Sequence, residues 1–171
     1  MNVLKLLGAV ITVSCGVAVG ISKRKNISQH AAFISGMAIA CEKIATEISL
    51  RRTPPWDIFK RLADDATPSG RFFSAVSMRT ASALSTEVLW TEALGDFTER
   101  YGLSKGERSE LERIGTVLSR YDLDNAVSTI ASIGTELSAK SKELDASVVK
   151  DGKMWLSICS AVGAAIALVL F

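Results

Sequence analysis

The chain has 171 residues, of which 48% are apolar and 22% charged, and its formal net charge is +2. Its three cysteines, Cys15, Cys41 and Cys159, are too few and too scattered to indicate a disulfide framework or a zinc site. The sequence has no glycine-rich loop followed by Lys-Ser or Lys-Thr, so it predicts no nucleotide-binding motif.

The N-terminal residues predict an uncleaved transmembrane helix over residues 1–21. Residues 3–21 hold a single charge, Lys5, and would span roughly 28 Å as a helix, close to the hydrocarbon thickness of a bilayer. A cleaved signal peptide is disfavoured, because the basic residues at 23–25 follow the apolar run instead of preceding it.

Residues 22–153 predict an all-α domain of about six helices, since no run of alternating β-branched residues lies between turn signals. The first helix is expected from Ser28 to Arg51, where Thr53-Pro54-Pro55 ends it. Its apolar residues recur at steps of three and four, as Ile34, Met37, Cys41, Ile44 and Ile48. A second helix is expected from Pro55 to Ala66, with proline at its first position. We expect it to bury Trp56, Phe59 and Leu62/Ala63.

Two further helices are predicted after a turn at residues 67–70. The third should run from Arg71 to Leu84, with Phe72, Val76 and Ala83 on one side. The fourth should run from Thr86 to Tyr101 and end at Gly102. Its expected buried residues are Leu89, Trp90, Ala93, Leu94 and Phe97.

The fifth helix should begin at a capping box, because Ser104 and Glu107 have the required spacing. We expect it to expose Glu107, Arg108, Glu110, Glu112 and Arg113, and to bury Leu111, Ile114, Val117 and Leu118. Asp122 and Asp124 are candidate caps for the last helix. Its apolar seam is predicted to pair with that of the first helix, through Val127, Ile130, Gly134, Leu137, Ser141, Leu144 and Val148.

Residues 154–171 are uncharged and predict a second transmembrane helix. The basic residues beside both predicted spans belong to the central domain, namely Lys23, Arg24, Lys25, Lys150 and Lys153. The positive-inside rule therefore places this domain in the cytoplasm and both termini on the far side. Without these residues, Lys5 and Asp151, the chain keeps 14 basic and 17 acidic residues, so nucleic-acid binding is not expected.

Small residues recur every four positions in both predicted spans. They are Gly8, Thr12, Gly16 and Gly20 in the first span, and Ser157, Ala161 and Ala165 in the second. Such faces let membrane helices approach closely, so the spans are expected to pack against each other or against another copy, which would make a homo-oligomer. Ordinary small-residue content is the alternative.

No catalytic, cofactor-binding or metal-binding residues are predicted. His30 is the one histidine, and a surface or interface histidine is the favoured interpretation over an acid–base role. Cys41 has no cysteine or histidine partner in the central domain at metal-ligand spacing. A membrane enzyme that uses either residue is the least favoured class of function.

Three groups of residues, in this order and spacing, resemble stage III sporulation protein AB of endospore-forming bacteria. They are Glu47-Ile48 with Thr53-Pro54, Trp90 with Ala93-Leu94, and Gly115 with Leu118 and Asp122. The resemblance covers nearly the whole chain, including both predicted spans. It implies a helical domain similar to the cytoplasmic domains of the platform proteins of type II secretion and type IV pilus machines.

The resemblance also implies a non-enzymatic subunit of a channel complex in the mother-cell membrane that faces the forespore. Its expected partners are a secretion-type ATPase, other subunits of the complex and the membrane itself. A generic membrane-tethered helical scaffold, such as a signalling adaptor, is the alternative. Candidate interaction residues lie around the end of the first helix and along the fifth: Glu47, Arg51, Arg52, Thr53, Pro54, Lys105, Glu107, Arg108, Glu110, Arg113 and Asp122.

Overall fold

The computed structural model describes residues 3–63, 66–79, 85–119 and 125–147, with side chains placed from residue 25 onward. The chain divides into two compact units. One comprises Gln29–Glu143, and the other comprises Met1–Ser28 with Leu144–Phe171. All the contacts analysed below belong to the unit Gln29–Glu143.

The described residues form six helices and no strand, which confirms the all-α prediction. The helices are α1 (Val3–Arg51), α2 (Pro55–Ala63), α3 (Pro68–Arg79), α4 (Thr86–Tyr101), α5 (Lys105–Ser119) and α6, described over residues 125–147. The backbone of the predicted N-terminal span is helical as the first part of α1.

Where side chains are placed, none of the helices combines the length and the apolar character that a bilayer crossing requires. The predicted C-terminal span, residues 154–171, lies outside the described residues. The packing of the two small-residue faces also lies outside what the structure describes. These faces comprise Gly8, Thr12, Gly16, Gly20, Ser157, Ala161 and Ala165.

The apolar seam of α1 forms one side of the core, as its spacing predicts. Its members are at most 2% exposed: Ile34, Met37, Cys41, Ile44 and Ile48. Gly134 of α6 lies against this seam so closely that an added Cβ would meet the Cβ of Cys41 at 3.0 Å. Glycine therefore sets the separation of α1 and α6 here, and the two seams pair as predicted.

Aromatic rings from four helices fill the centre of the unit. Phe33 of α1 stacks on Tyr101 of α4, with ring centroids 5.0 Å apart and planes 7° from parallel. Phe72 of α3 meets Trp90 edge to face at 4.8 Å, and Phe59 of α2 lies 5.7 Å from the same indole. Contacts of this kind contribute about 0.5–1.5 kcal/mol each beyond the area that they bury.

Trp90 also fixes the packing of α4 on α5. Its indole N–H donates to the carbonyl of Leu111 at 2.8 Å, and the side chain is fully buried. A Cβ on Gly115 would lie 2.5 Å from Trp90 Cδ1, closer than real atoms approach. The indole therefore fits against α5 because residue 115 lacks a side chain.

Several helix boundaries differ from the sequence prediction. The turn predicted at residues 67–70 is wrong: α3 begins at Pro68, and the Thr67 hydroxyl accepts from the Gly70 N–H at 3.1 Å. Threonine followed by proline is a strong helix start, and this preference outweighs the turn propensity of Ser69-Gly70. α2 is described over Pro55–Ala63, and Ala66, its predicted last residue, is not helical. Residues 64–65 and 80–84 lie outside the described ranges.

Burial also differs from prediction at several positions. Trp56 and Ala63 are half-buried, whereas Ile58 is buried. Val117 is half-exposed, because α5 turns its buried side toward α4 through Gly115 and Leu118. In α6, Ala126 and Ile133 are buried in addition to the predicted residues, while Val127 and Leu144 are half-buried and Val148 lies outside the described residues.

We expect Gly115→Ala to lower the free energy of unfolding by about 1–3 kcal/mol, because the new methyl group must displace the Trp90 indole. Gly95→Ala is the matched control, since nothing lies within 4 Å of an added Cβ at that helical position. It should be neutral or stabilising by up to about 1 kcal/mol. Thermal unfolding followed by circular dichroism in detergent measures both, and equal stability of the two variants would contradict the close packing.

Candidate docking surfaces and a buried charge cluster

The end of α1 and the helix α2 bring two arginines and a threonine around one carboxylate. Glu47 Oε1 accepts from Arg51 Nη1 at 3.3 Å, and Glu47 Oε2 accepts from Thr53 Oγ1 at 3.2 Å. Arg61 of α2 reaches the same carboxylate with two nitrogens, at 3.4 Å and 3.2 Å. We call Glu47, Arg51, Arg52, Thr53 and Arg61 the arginine corner.

Arg52 closes α1 in a left-handed backbone conformation, with φ of 48°. Its N–H donates to the carbonyl of Ile48 at 3.1 Å, so it still satisfies one of the helix's terminal carbonyls. Glycine is the usual residue at such a position. A residue with a side chain in this conformation lowers the stability of the fold by roughly 1–2 kcal/mol relative to glycine. Arg52 therefore occupies a strained backbone position.

A groove between α1 and α2 lies beside the arginine corner. Its volume is about 380 Å³, and its lining mixes charged side chains with the apolar side chains of Ile58 and Leu62. The remaining lining residues are Glu42, Lys43, Thr46, Glu47 and Arg61. The groove and the arginine corner thus share Glu47 and Arg61.

The second predicted surface, on α5, is neutralised by its own pairs. Arg108 Nε lies 2.7 Å from Glu112 Oε1, and Arg113 Nη1 lies 3.0 Å from Glu110 Oε2. Both pairs join residues three or four positions apart on one helix, where such neighbours meet. Lys105 and Ser104 are exposed. We call Lys105, Arg108, Glu110, Glu112 and Arg113 the α5 charge row.

Glu107 is buried, so its prediction as an exposed docking residue is wrong. The capping box itself is confirmed: the Ser104 N–H donates to Glu107 Oε2 at 2.7 Å, and the Glu107 N–H donates to Ser104 Oγ at 3.3 Å. The Glu107 side chain is 2% exposed, however, because His30 of α1 and Lys140 of α6 cover it. His30 Nε2 lies 3.2 Å from Glu107 Oε2, and Lys140 Nζ lies 3.7 Å from Glu107 Oε1.

The environment of Glu107 holds it in the charged form. Burial by itself raises the pKa of this carboxyl group, but the two hydrogen bonds from Ser104 and the charges of His30 and Lys140 outweigh it. The pKa of Glu107 therefore lies below its ordinary value. This cluster of Glu107, His30, Ser104 and Lys140 ties three helices together, which accounts for the single histidine as a structural residue.

Cys41 is unsuited to nucleophilic chemistry. Its side chain is fully buried in the α1 seam, and burial raises the pKa of its thiol to about 12. The thiolate is the reactive form, so a raised pKa suppresses reactivity. Within the described ranges, no group of three histidine, cysteine or acidic side chains is placed to hold a metal ion.

The structure thus separates the predicted interaction residues into three sets. Glu47, Arg51, Arg52 and Thr53 come together at the arginine corner with exposed Pro54 beside them, whereas the α5 charge row forms its own pairs. Glu107 belongs to the buried cluster, and Asp122 lies outside the described residues. Sequence reasoning missed Arg61 and Lys140, which are distant in sequence from their partners and carry no local motif. His30, favoured as a surface or interface histidine, lies where α1 meets Glu107 of α5.

A family model described as stage III sporulation protein AB matches residues 5–171. The chain belongs to this family, and hence to the proteins of stage III of sporulation. Searches of curated proteins and of solved structures give no significant match. The residues that carry the resemblance are partners in space: Glu47 bonds Thr53, and Trp90 packs on Gly115.

We expect Glu107→Gln to lower the free energy of unfolding by about 1–3 kcal/mol, because it removes the charge that binds His30 and Lys140. Glu110→Gln, a part-exposed member of the α5 charge row, is the control and should change stability by less than about 0.5 kcal/mol. Urea unfolding of the full chain in detergent measures both.

The pH dependence of stability distinguishes the contribution of the Glu107 charge from that of its side-chain packing. Since the folded pKa is lowered, the charge contributes fully above the ordinary value of 4.5 and is lost as the pH falls through the folded pKa. The stability difference between wild type and Glu107→Gln should therefore shrink as the pH falls below about 4.5. If the stability difference between wild type and Glu107→Gln stays constant on acidification, the charge of Glu107 does not contribute to stability.

Proposed function

We propose that this member of the stage III sporulation protein AB family is a non-enzymatic platform subunit of a channel complex between mother cell and forespore. It is held in the mother-cell membrane by two transmembrane helices, with its helical domain in the cytoplasm. There it docks a secretion-type ATPase and connects it to membrane components of the complex. Family membership supports the role in sporulation, and the resemblance to secretion platform proteins supports the rest.

The continuity of α1 is the observation that carries this proposal. This helix runs without a break from Val3 to Arg51, through the residues of the predicted first span and on through the apolar seam of the core. One element therefore contains the proposed membrane anchor, one wall of the core, and Glu47 and Arg51 of the arginine corner. A platform needs such a connection between its membrane part and its docking surface.

The chemistry of the described side chains supports a docking role over catalysis. The two residues most suited to reaction chemistry are used otherwise, since Cys41 is buried and His30 pairs with Glu107. Exposed charged side chains occur on all the described helices, and at the end of α1 they include Arg51 and Arg52. An exposed charged surface on a rigid helical body is suited to binding another protein.

A purification of the tagged full chain from membranes of sporulating cells tests the proposal. We expect a secretion-type ATPase and membrane subunits of the complex to co-purify. Reversal of exposed charges at the arginine corner, in a variant with Arg51→Glu and Arg52→Glu, should remove the ATPase and leave the chain in the membrane.

Glu143→Lys is the control for this purification, because it reverses one exposed charge on α6 outside both surfaces and should retain the ATPase. A wild-type purification that contains membrane subunits but no ATPase would support the generic scaffold instead. Retention of the ATPase by the charge-reversed variant would contradict docking through the arginine corner.

A further inference from the structure

The arginine corner has more hydrogen-bond donors than it uses. A guanidinium group carries five N–H donors. Arg51 directs one nitrogen to Glu47 and remains 68% exposed, and Arg61 remains 51% exposed. Within the part of the chain that the structure describes, Arg52 is exposed and makes no ion pair. Two guanidinium groups therefore share the single carboxylate of Glu47, and Arg52, next to Arg51 in the sequence, adds a third positive group, so the corner can bind further carboxylates.

The strained backbone of Arg52 indicates that its side chain is needed. Glycine would close α1 without the cost of a left-handed side-chain residue, and it would leave the hydrogen bond to Ile48 intact. The corner keeps a third positive group at the expense of stability. Strain of this kind is typical of binding sites, where a function other than folding selects the residue.

Apolar surface lies next to these charges. Leu50, which precedes Arg51, is 77% exposed. The groove beside the corner has Ile58 and Leu62 in its lining. Its volume of about 380 Å³ lies at the small end of the roughly 300–1,000 Å³ of ligand pockets, enough for one or two apolar side chains.

We propose that the arginine corner and the adjacent groove bind an acidic segment of a partner protein, with its carboxylates on the arginines and an apolar side chain in the groove. This inference rests on the docking function proposed above and names the chemistry of that contact. Arginine binds carboxylates through paired N–H donors, as Arg61 already binds Glu47. The α5 charge row is a poorer site for such a segment, because its two acidic members pair with two of its three basic ones and both arginines are thereby engaged.

The apolar lining of the groove favours a protein segment over anionic lipid headgroups. Ile58 and Leu62 offer a site for an apolar side chain beside the arginines. A lipid headgroup carries only charged and polar groups, so it would leave this part of the site unused.

Peptide binding to the full chain in zwitterionic lipid nanodiscs tests the inference without the ATPase. The probe is a fluorescent peptide of Glu-Glu-Leu repeats, compared with Lys-Lys-Leu and Glu-Glu-Ala repeats. We expect the Glu-Glu-Leu peptide to bind best, and its affinity to fall as salt is raised.

Arg51→Gln with Arg52→Gln should raise the Kd of the Glu-Glu-Leu peptide about tenfold or more. Thr46→Phe, which fills the groove without a change of charge, should weaken the Glu-Glu-Leu peptide and leave the Glu-Glu-Ala peptide unchanged.

Arg52→Gly separates binding from folding. It removes the strain at residue 52, so the melting temperature should rise by about 2–4 °C, whereas the Kd for the Glu-Glu-Leu peptide should increase. Lys105→Gln with Arg113→Gln on the α5 charge row is the control and should leave the Kd unchanged. A variant that is more stable and yet binds less well cannot be explained by misfolding.

Three outcomes would overturn the inference. The Lys-Lys-Leu peptide could bind as well as the Glu-Glu-Leu peptide, or the α5 control could weaken binding as much as the arginine variants. Vesicles with phosphatidylglycerol could also bind in a manner that requires Arg51 and Arg52, while neither acidic peptide binds. Failure of the ATPase to co-purify from cells, with the peptide results as expected, would overturn the proposed partner and leave the chemistry of the site in place.

Discussion

The fit of the Trp90 indole against the bare backbone of Gly115 is the constraint on which the folded body depends. It sets the distance between α4 and α5, and the hydrogen bond from the indole to Leu111 fixes the rotation of the ring. The same indole lies within 6 Å of three phenylalanine rings, those of Phe59, Phe72 and Phe73. The positions of α2 and α3 therefore follow from the placement of one side chain.

Charge has two separate roles in this body. Around Glu107 it is internal: His30, Ser104 and Lys140 come from different parts of the chain and hold one buried carboxylate, which fixes how α5 lies against α1 and α6. At the arginine corner, charge is exposed and in excess over what folding uses. Buried, satisfied pairs specify a structure, whereas exposed and unbalanced groups are available to a partner. This contrast is the reason for assigning docking to the corner.

Local signals predicted much of the fold. The heptad-like seam of α1, the bounds and buried face of α4, and the capping box of α5 all follow from spacing and end residues. The errors come from contacts between distant residues. Glu107 has the sequence pattern of an exposed cap residue, and it is buried by the packing of His30, 77 positions away, and of Lys140. Arg61 joins Glu47 only because the turn at Thr53–Pro55 folds α2 back along α1. The transmembrane spans and their packing faces stay predictions.

The claim that the end of α1 is the docking surface is tested most directly by site-specific crosslinking in sporulating cells. A photoreactive residue replaces exposed Leu50 beside the arginine corner, or exposed Ser109 on α5, in the full-length chain. The account predicts that the secretion-type ATPase is crosslinked from position 50 and not from position 109. Crosslinking of the ATPase from position 109 alone would contradict it.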